Sequence, residues 1–296
     1  MSDVRVVDIS ADPETVAAEL DEICRTAGFF QIAGHGIPVD VIDRAWSMAT
    51  RFFDLPLEDK LRVLRPGPAY PYGYSPLPGT VPGRVLSGVG WADPKEVFDA
   101  GPPVPPVNQK GGWSYPSNQW PAVLPEFETA WMAYYHAMSD VGGRLMCLFA
   151  RGLRLPPGFF IDKIDKGLNL LRAVNYPARD SNSKPGQLRA TVHTDGGLVT
   201  VLRQDTVGGL EVLDSGGSWI GVEPVPGAFV VILGDLMARW TNGRWRSSPH
   251  RVVDPPNPSS AAARRQSIPF SLNANWSARD FCLPTRVTSG EIRKKS

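Results

Sequence analysis

Residues 193–213 read HTDGGLVTVLRQDTVGGLEVL, and this stretch decides the fold. Its apolar runs, 198–204 and 210–213, each have the length of one strand, and the Gly208-Gly209 pair between them is typical of a turn. Further runs of this kind follow from about residue 168 onward, and the full set is 169–176, 198–204, 210–213, 219–222, 228–233, 238–241, 250–253 and 267–273. Short strands at this spacing predict a sandwich or barrel, and a jelly roll is the simplest choice.

The first half of the chain is helical in pattern. Apolar residues recur at helical spacing over 14–27, 39–53 and 121–152, with a short strand at 29–32 between the first two helices. We therefore predict a mainly β fold with flanking helices, in which an N-terminal α/β region precedes a double-stranded β-helix. Residues 1–120 hold the helical region and a substrate cover, residues 121–296 hold the long helix and the jelly roll, and both form one compact unit.

The predicted cover is residues 66–117, a stretch rich in proline and glycine. A loop of this length inside a domain is usually functional or disordered. Its seven aromatic residues favour an ordered segment that closes over a substrate. These residues are Tyr70, Tyr72, Tyr74, Trp91, Phe98, Trp113 and Tyr115.

Composition excludes several classes of protein. The 31 Lys and Arg residues nearly balance the 30 Asp and Glu residues, so no basic surface indicates a nucleic-acid partner. No apolar run has the roughly 18 residues of a membrane span, and the first residues do not resemble a secretion signal. Three widely spaced cysteines, Cys24, Cys147 and Cys282, predict buried free thiols in the cytoplasm. The oligomeric state is left open.

Three side chains are candidate metal ligands. His193 and Asp195 are two positions apart, so on an extended strand both point to one face. His250 lies at the start of another predicted strand. Two imidazoles and one carboxylate suit non-haem Fe(II) with positions left for substrate and oxygen. A pattern this short also arises by chance, so structural histidines remain an alternative at this point.

A second pair suggests an anion site. Arg265 and Ser267 are again two positions apart on a predicted strand. An arginine that faces a strand core is costly unless it meets an anion, and its planar fork matches a carboxylate. The alternative is an internal ion pair with an Asp or Glu. The other histidines, His35 and His136, have no such carboxylate two positions on and are predicted to be structural.

Several further motifs occur in order along the chain: GFFQI at 28–32 with HGIP at 35–38, FF at 52–53 with LP at 55–56, HTDGGLVT at 193–200, GGLEV at 208–212, TNG at 241–243 with Ser248, His250 and Arg251, and RQS at 265–267. In these motifs the sequence resembles the iron(II)- and 2-oxoglutarate-dependent dioxygenases, in the branch that contains isopenicillin N synthase. The resemblance covers nearly the whole chain.

Carried over residue by residue, the resemblance implies that His193, Asp195 and His250 bind iron. It implies that Arg265 and Ser267 hold the distal carboxylate of 2-oxoglutarate, and that Tyr176 also contacts this cosubstrate. The chain departs from the family in two places. Val174 stands where the family often has asparagine, and the interval from His250 to the arginine is 15 residues, longer than usual.

The implied activity is oxidation of a C–H bond in a small organic substrate, which suggests secondary metabolism, with O2 consumed and succinate and CO2 released. Hydroxylation is the default outcome, and desaturation or ring formation are variants. An oxidase that needs no 2-oxoglutarate and a non-catalytic ligand-binding barrel are the alternatives. By analogy with the family, Tyr72, Tyr74, Phe98 and Trp240 are predicted to contact the substrate.

Overall fold

The computed structural model describes residues 4–67, 70–80, 93–104, 116–179, 186–254, 263–278 and 281–283. Its helices are α1 (Pro13–Thr26), α2 (Val39–Phe53), α3 (Leu57–Leu61), α4 (Phe127–Gly152), α5 (Ile161–Ile164) and α6 (Asp235–Trp240). Its strands are β1 (Val6–Asp8), β2 (Phe29–Ala33), β3 (Gly73–Ser75), β4 (Glu96–Ala100), β5 (Leu170–Tyr176), β6 (Ala190–His193), β7 (Val199–Gln204), β8 (Leu210–Leu213), β9 (Trp219–Gly221), β10 (Phe229–Leu233), β11 (His250–Val252) and β12 (Arg265–Leu272). No helix within these ranges is both long and apolar enough to cross a membrane.

Eight strands form one large sheet in the order β1-β2-β10-β7-β12-β5-β4-β3. The N-terminal strands β1 and β2 pair in parallel, and β2 then pairs antiparallel with β10 from the second half of the chain. The sheet therefore crosses the predicted boundary between residues 120 and 121. The division into 1–120 and 121–296 within one unit stays a prediction.

The other four strands form a smaller antiparallel sheet in the order β6-β11-β8-β9. Its apolar side chains meet one face of the large sheet in a buried cluster. The cluster contains Phe29, Val97, Val174, Tyr176, Ala190, Leu202, Leu210, Val212, Val222, Val230, Ile232 and Val252. Since alternate residues of a strand point to opposite faces, this interior receives every second residue of the central strands. Two facing sheets of this kind are the architecture that the strand pattern predicts.

Helices cover the opposite face of the large sheet. The central one is α4, whose Trp131, Tyr135 and Met138 are buried in a second apolar cluster together with residues of α1 and α2. The ring of Tyr135 lies edge-on to that of Phe270 on β12, with centroids 5.4 Å apart. The stripe of apolar residues in α4 thus faces the sheet, as its helical spacing predicts.

Local signals explain where α1 begins and ends. The carboxylate of Asp12 accepts a hydrogen bond from the Thr15 backbone at 2.9 Å, and Pro13 occupies the first helical position. Gly28 follows with a φ of +77°, and a Cβ there would lie 2.3 Å from the carbonyl oxygen of Arg246. Only glycine permits this close approach, so the helix stops and β2 enters the sheet.

The strand predicted over 238–241 is wrong, because Asp235–Trp240 form the short helix α6. Met237 and Trp240 are one helical turn apart and both are buried. Four residues at the end of a short helix are too few to distinguish the helical spacing of apolar residues from the alternation of a strand. The apolar residues of this stretch were therefore also consistent with a strand.

Part of the predicted cover lies outside the described residues, including Trp91, Trp113 and Tyr115. Two parts that the structure does describe are the strands β3 and β4, which extend the large sheet beyond β5. Closure of this segment over a substrate stays a prediction.

Candidate active site

Two strands of the small sheet bring the three candidate metal ligands together. His193 on β6 lies directly opposite His250 on β11, and their ring centroids are 4.2 Å apart. Asp195 lies just beyond the end of β6, with Oδ1 3.8 Å from Nε2 of His250. One ligand atom from each residue can be chosen so that all three lie within 4.8 Å of one another.

Both imidazoles are oriented for metal binding by the backbone. Nδ1 of His193 lies 2.7 Å from the carbonyl oxygen of Thr191, and Nδ1 of His250 lies 3.2 Å from that of Ser248. A carbonyl only accepts, so each Nδ1 carries the proton and each Nε2 keeps a free lone pair. Burial lowers the pKa of His250, an effect that Asp195 opposes, and this favours the neutral imidazole that a metal requires.

The carboxylate of Asp195 supports the same interpretation. Its Oδ2 atom is buried and has no hydrogen-bond partner among the residues that the structure describes. A buried carboxylate oxygen without a partner is costly, and a divalent cation would remove that cost. The residues present therefore fit an Fe(II) ion with two nitrogen ligands and one oxygen ligand.

The start of α6 fixes the position of Asp195. The backbone N–H of Asp235 donates to the carbonyl oxygen of Asp195 at 2.7 Å, and its carboxylate accepts from the Thr194 hydroxyl at 2.9 Å. A Cβ at Gly234 would lie 2.1 Å from the Gly197 carbonyl oxygen, so only glycine lets the two segments approach. Sequence reasoning missed Asp235 because it did not recognise this helix.

Arg265 lies at the start of β12 with only 1% of its surface exposed. Its Nε donates to the carbonyl oxygen of Gly208 at 2.9 Å, and its two terminal nitrogens each lie 3.4 Å from a neutral oxygen, of Ser267 and of Gln204. Within the described ranges it has no carboxylate at ion-pair distance, so the internal ion pair considered for it is not found. A buried guanidinium with neutral partners is suited to bind an anion.

Tyr176 completes this second group. It ends β5 directly opposite Arg265 on β12, and the guanidinium carbon of Arg265 lies 5.1 Å from the centre of its ring. Ser267 is two residues along the same strand and faces the same side of the sheet. The structure thus brings together the three residues that the resemblance assigns to the cosubstrate.

Both groups face one cavity of about 120 Å³ between the two sheets. Its lining includes His193, Asp195, His250, Arg265, Ser267 and Tyr176. Arg265 and Ser267 are buried, whereas His193 is exposed. The cavity is therefore closed at the arginine end and open at the metal-ligand end.

Comparisons with known proteins identify the family. Residues 4–123 match the family model described as "non-haem dioxygenase in morphine synthesis N-terminal", and residues 168–274 match the "2OG-Fe(II) oxygenase superfamily". The 2-oxoglutarate-Fe(II) type oxidoreductase hxnY of Emericella nidulans is 36% identical over 285 residues, or 93% of this chain and 79% of the relative. The chain belongs to the 2OG-Fe(II) oxygenase superfamily.

Other comparisons agree with this assignment. The Validamycin A dioxygenase of Streptomyces hygroscopicus subsp. limoneus is 37% identical to the oxygenase over 286 residues, which cover 90% of this chain and 74% of the relative. The crystal structure of a full-length Neurospora crassa protein in complex with alpha-KG superposes with a TM-score of 0.82 and 31% identity over 92% of this chain and 85% of that chain. The expected double-stranded β-helix is confirmed.

Membership also settles the cofactors. The oxygenase is a 2-oxoglutarate-dependent dioxygenase that uses Fe(II), 2-oxoglutarate and O2. The comparisons favour this activity over the two alternatives that the sequence left open, an oxidase without 2-oxoglutarate and a barrel without catalysis.

The residues predicted to contact the substrate are not among those that line the cavity. Phe98 and Tyr74 pair across β4 and β3 and point into the helix-covered core. Trp240 stacks on Phe160, with centroids 5.6 Å apart, in the same core. Tyr72 is also buried, and its ring packs close to Gly101. Their role in substrate binding stays a prediction.

We expect the main contribution of Phe98 to be to the stability of the folded state. Its ring lies within 5.0 Å of Phe52 and Phe127, centroid to centroid, and is fully buried. Phe98→Ala should lower the free energy of unfolding by about 3–5 kcal/mol, because it leaves a cavity in the core. Urea denaturation measures this, with Val104→Ala, at a side chain 74% exposed, as the control. A loss no larger than that of the control would contradict the placement of Phe98.

The remaining histidines and cysteines lie outside the cavity. His35 donates from Nε2 to the Gly227 carbonyl at 3.0 Å and accepts at Nδ1 from the Ile37 backbone at 3.1 Å, so both ring nitrogens are used within the fold. His136 is exposed on α4. The three thiols are free, but only Cys24 is buried, so the expectation of three buried thiols is wrong.

Proposed function

We propose that the oxygenase oxidises a C–H bond of a small organic substrate, with iron held by His193, Asp195 and His250. The keto acid is held by Arg265, Ser267 and Tyr176. The observation that carries this assignment is the buried Arg265, which has only neutral partners among the described residues and faces the same cavity as the candidate metal ligands.

The protein's residues provide placement and orientation. Arg265 and Ser267 receive the distal carboxylate of 2-oxoglutarate at the closed end of the cavity, which directs the keto group of the molecule toward the open end. The backbone carbonyls of Thr191 and Ser248 keep the Nε2 atoms of the two histidines directed at the metal position. When bound, iron supplies the activation of O2 that couples decarboxylation of the keto acid to oxidation of the substrate.

The substrate class remains the proposed part of this function. A fungal relative is named 2-oxoglutarate-dependent dioxygenase citB and a bacterial relative is named for validamycin A, which supports a substrate of secondary metabolism. Hydroxylation is the default outcome, with desaturation or cyclisation as variants of the same hydrogen removal. A cytoplasmic location, as the sequence suggests, is part of this proposal.

The test is an assay of succinate against oxygen uptake. Enzyme loaded anaerobically with Fe(II) should release succinate when 2-oxoglutarate and O2 are added, and a substrate from a panel of small organic molecules should accelerate that release. The matched control is enzyme loaded with Zn(II), which occupies similar ligands but has no redox chemistry and should form no succinate. Equal oxygen uptake with and without 2-oxoglutarate would contradict the proposal.

A further inference from the structure

His193 is the least enclosed of the three candidate metal ligands. Its strand, β6, is at one end of the small sheet in the part of the chain that the structure describes, and His193 itself is exposed. His250 is buried on β11, which has a neighbouring strand on each side. Packing therefore contributes little to holding His193, and its position depends on hydrogen bonds to the strand that carries it.

The pairing of β6 with β11 is irregular beside His193. The register of the two strands shifts by one residue between His250 and Val252. At this point β6 has two residues, Thr191 and Val192, where β11 has one. An extra residue of this kind forms a β-bulge, which bends the strand and redirects the side chains next to it. The bulge also disturbs the ladder of backbone hydrogen bonds, so a contact from outside the sheet is needed to hold it.

Asp93 supplies such a contact from a distant part of the chain. Its Oδ1 atom accepts the backbone N–H of Thr191 at 2.9 Å. The carbonyl oxygen of the same Thr191 lies 2.7 Å from Nδ1 of His193 and accepts its proton. The two hydrogen bonds connect the Asp93 carboxylate to the imidazole through the backbone of Thr191. Asp93 can therefore act on the orientation of His193 through one intervening residue.

The carboxylate of Asp93 is itself held in place. Its Oδ2 atom pairs with Nζ of Lys95 at 2.8 Å, and the Lys95 backbone N–H donates to the Asp93 carbonyl oxygen at 2.8 Å. The Asp93 side chain is only 15% exposed, which strengthens the bond that it accepts. The next residue, Glu96, begins β4, is buried, and binds Lys60 at 2.9 Å and Asn175 at 2.8 Å. Strand β4 of the large sheet thus provides a rigid base for Asp93.

The place of Asp93 in the chain gives this contact a second consequence. Asp93 belongs to residues 66–117, the predicted cover, and is the first residue that the structure describes after position 80. Its bond to Thr191 therefore fixes one end of that segment to the strand that carries His193.

We propose that Asp93 is a positioning residue for His193. Its carboxylate holds the bulge of β6 in the form that directs Nε2 of His193 at the metal position. The inference rests on the proposed function, because it takes His193 as a ligand of iron. It requires that loss of the hydrogen-bond acceptor at position 93 weakens metal binding, and that loss of the negative charge alone does not.

The experiment measures the affinity of the metal-free, full-length chain for Co(II), in competition with a chelating dye. Co(II) accepts the same types of ligand as Fe(II). Asp93→Ala should weaken Co(II) binding about tenfold, the lower end of the range for residues that orient metal ligands. Asp93→Asn keeps an oxygen that can accept the Thr191 N–H, so its affinity should stay within about threefold of wild type.

The matched control is Asp214→Ala. Oδ1 of Asp214 accepts the backbone N–H groups of Gly216 and Ser218, both at 2.8 Å, in the turn between β8 and β9 of the same sheet. This variant removes the same kind of contact, a carboxylate on a backbone N–H, at a point away from the candidate ligands. It should leave the Co(II) affinity unchanged.

Three results would overturn the inference: wild-type affinity in Asp93→Ala, a loss in Asp93→Asn as large as in Asp93→Ala, or an equal loss in Asp214→Ala. A measurement on the wild type covers the case in which Asp93→Ala does not fold. Thr191 is exposed, yet its amide hydrogen should exchange with solvent at least about tenfold more slowly than in an unstructured peptide. Exchange at the rate of the peptide would also overturn the inference. Failure of the proposed function is distinguishable, because the wild type would then bind no Co(II) and release no succinate with Fe(II).

Discussion

His250→Ala is expected to abolish succinate release and to weaken Fe(II) binding by more than about 100-fold, since a direct ligand matters more than the residues around it. His250 is buried, and its Nε2 atom lies next to Asp195 with no other task in the fold. The pairing of β11 with β6 and β8 uses backbone groups, so the fold should survive. Metal titration and a succinate assay measure the two effects, and circular dichroism checks the fold.

The control for this prediction is His35→Ala. His35 packs against Phe229 with ring centroids 4.5 Å apart and uses both nitrogens within the fold. Its loss should lower stability and leave Fe(II) affinity unchanged. If His250→Ala retained full activity, or if His35→Ala weakened Fe(II) binding equally, His250 would not be a ligand.

Arg265→Lys is expected to raise the KM for 2-oxoglutarate by about 10- to 100-fold, because lysine keeps the charge but loses the fork that holds a carboxylate at two points. The shorter reach of one ammonium group also cannot replace the bond that Nε makes to Gly208. The affinity for the primary substrate should change little. Initial rates at varied keto acid and fixed substrate measure the effect.

The adjacent residue provides a matched control. Arg264 points to the other side of β12, where it binds the side chains of Asn175 and Asp54. Arg264→Lys should therefore leave the KM for 2-oxoglutarate unchanged. Equal losses for the keto acid and the primary substrate in Arg265→Lys would instead indicate that Arg265 supports the structure in general.

Much of the fold and of the candidate site could be predicted from local sequence. The helix over 39–53 and the strand at 210–213 are found as predicted, because strong apolar periodicity and clear turn residues specify them without long-range help. His193 with Asp195, and Arg265 with Ser267, were recognisable because each pair lies within three residues. His250 was added to the first pair because it begins another predicted strand, and Tyr176 was added to the second pair from the resemblance to a family.

Predictions were poorer where a residue's environment depends on which face of a sheet it occupies. Phe98 and Asp99 are neighbours in sequence, yet Phe98 enters the helix-covered core while Asp99 points to the other face of β4, where it pairs with Arg172 on β5. From the sequence, Phe98 was predicted to contact the substrate, and Asp99 was assigned no role. Neighbouring side chains of a strand point to opposite faces of the sheet. Which of the two residues faces the helices is decided only when β4 pairs with β5.

Sequence alone therefore determined the class of fold, the types of side chain that we propose for holding iron and keto acid, and the family. These conclusions rest on residues that are close together in the sequence, and the covalent chain itself keeps such residues close together in space. Tertiary structure decided that Asp195 is fixed by the start of α6, that Arg265 has only neutral partners within the described residues, and that Arg172 adds a charge to the cavity. These features join residues tens of positions apart, and their energies depend on burial and on partners that exist only after the two sheets have packed.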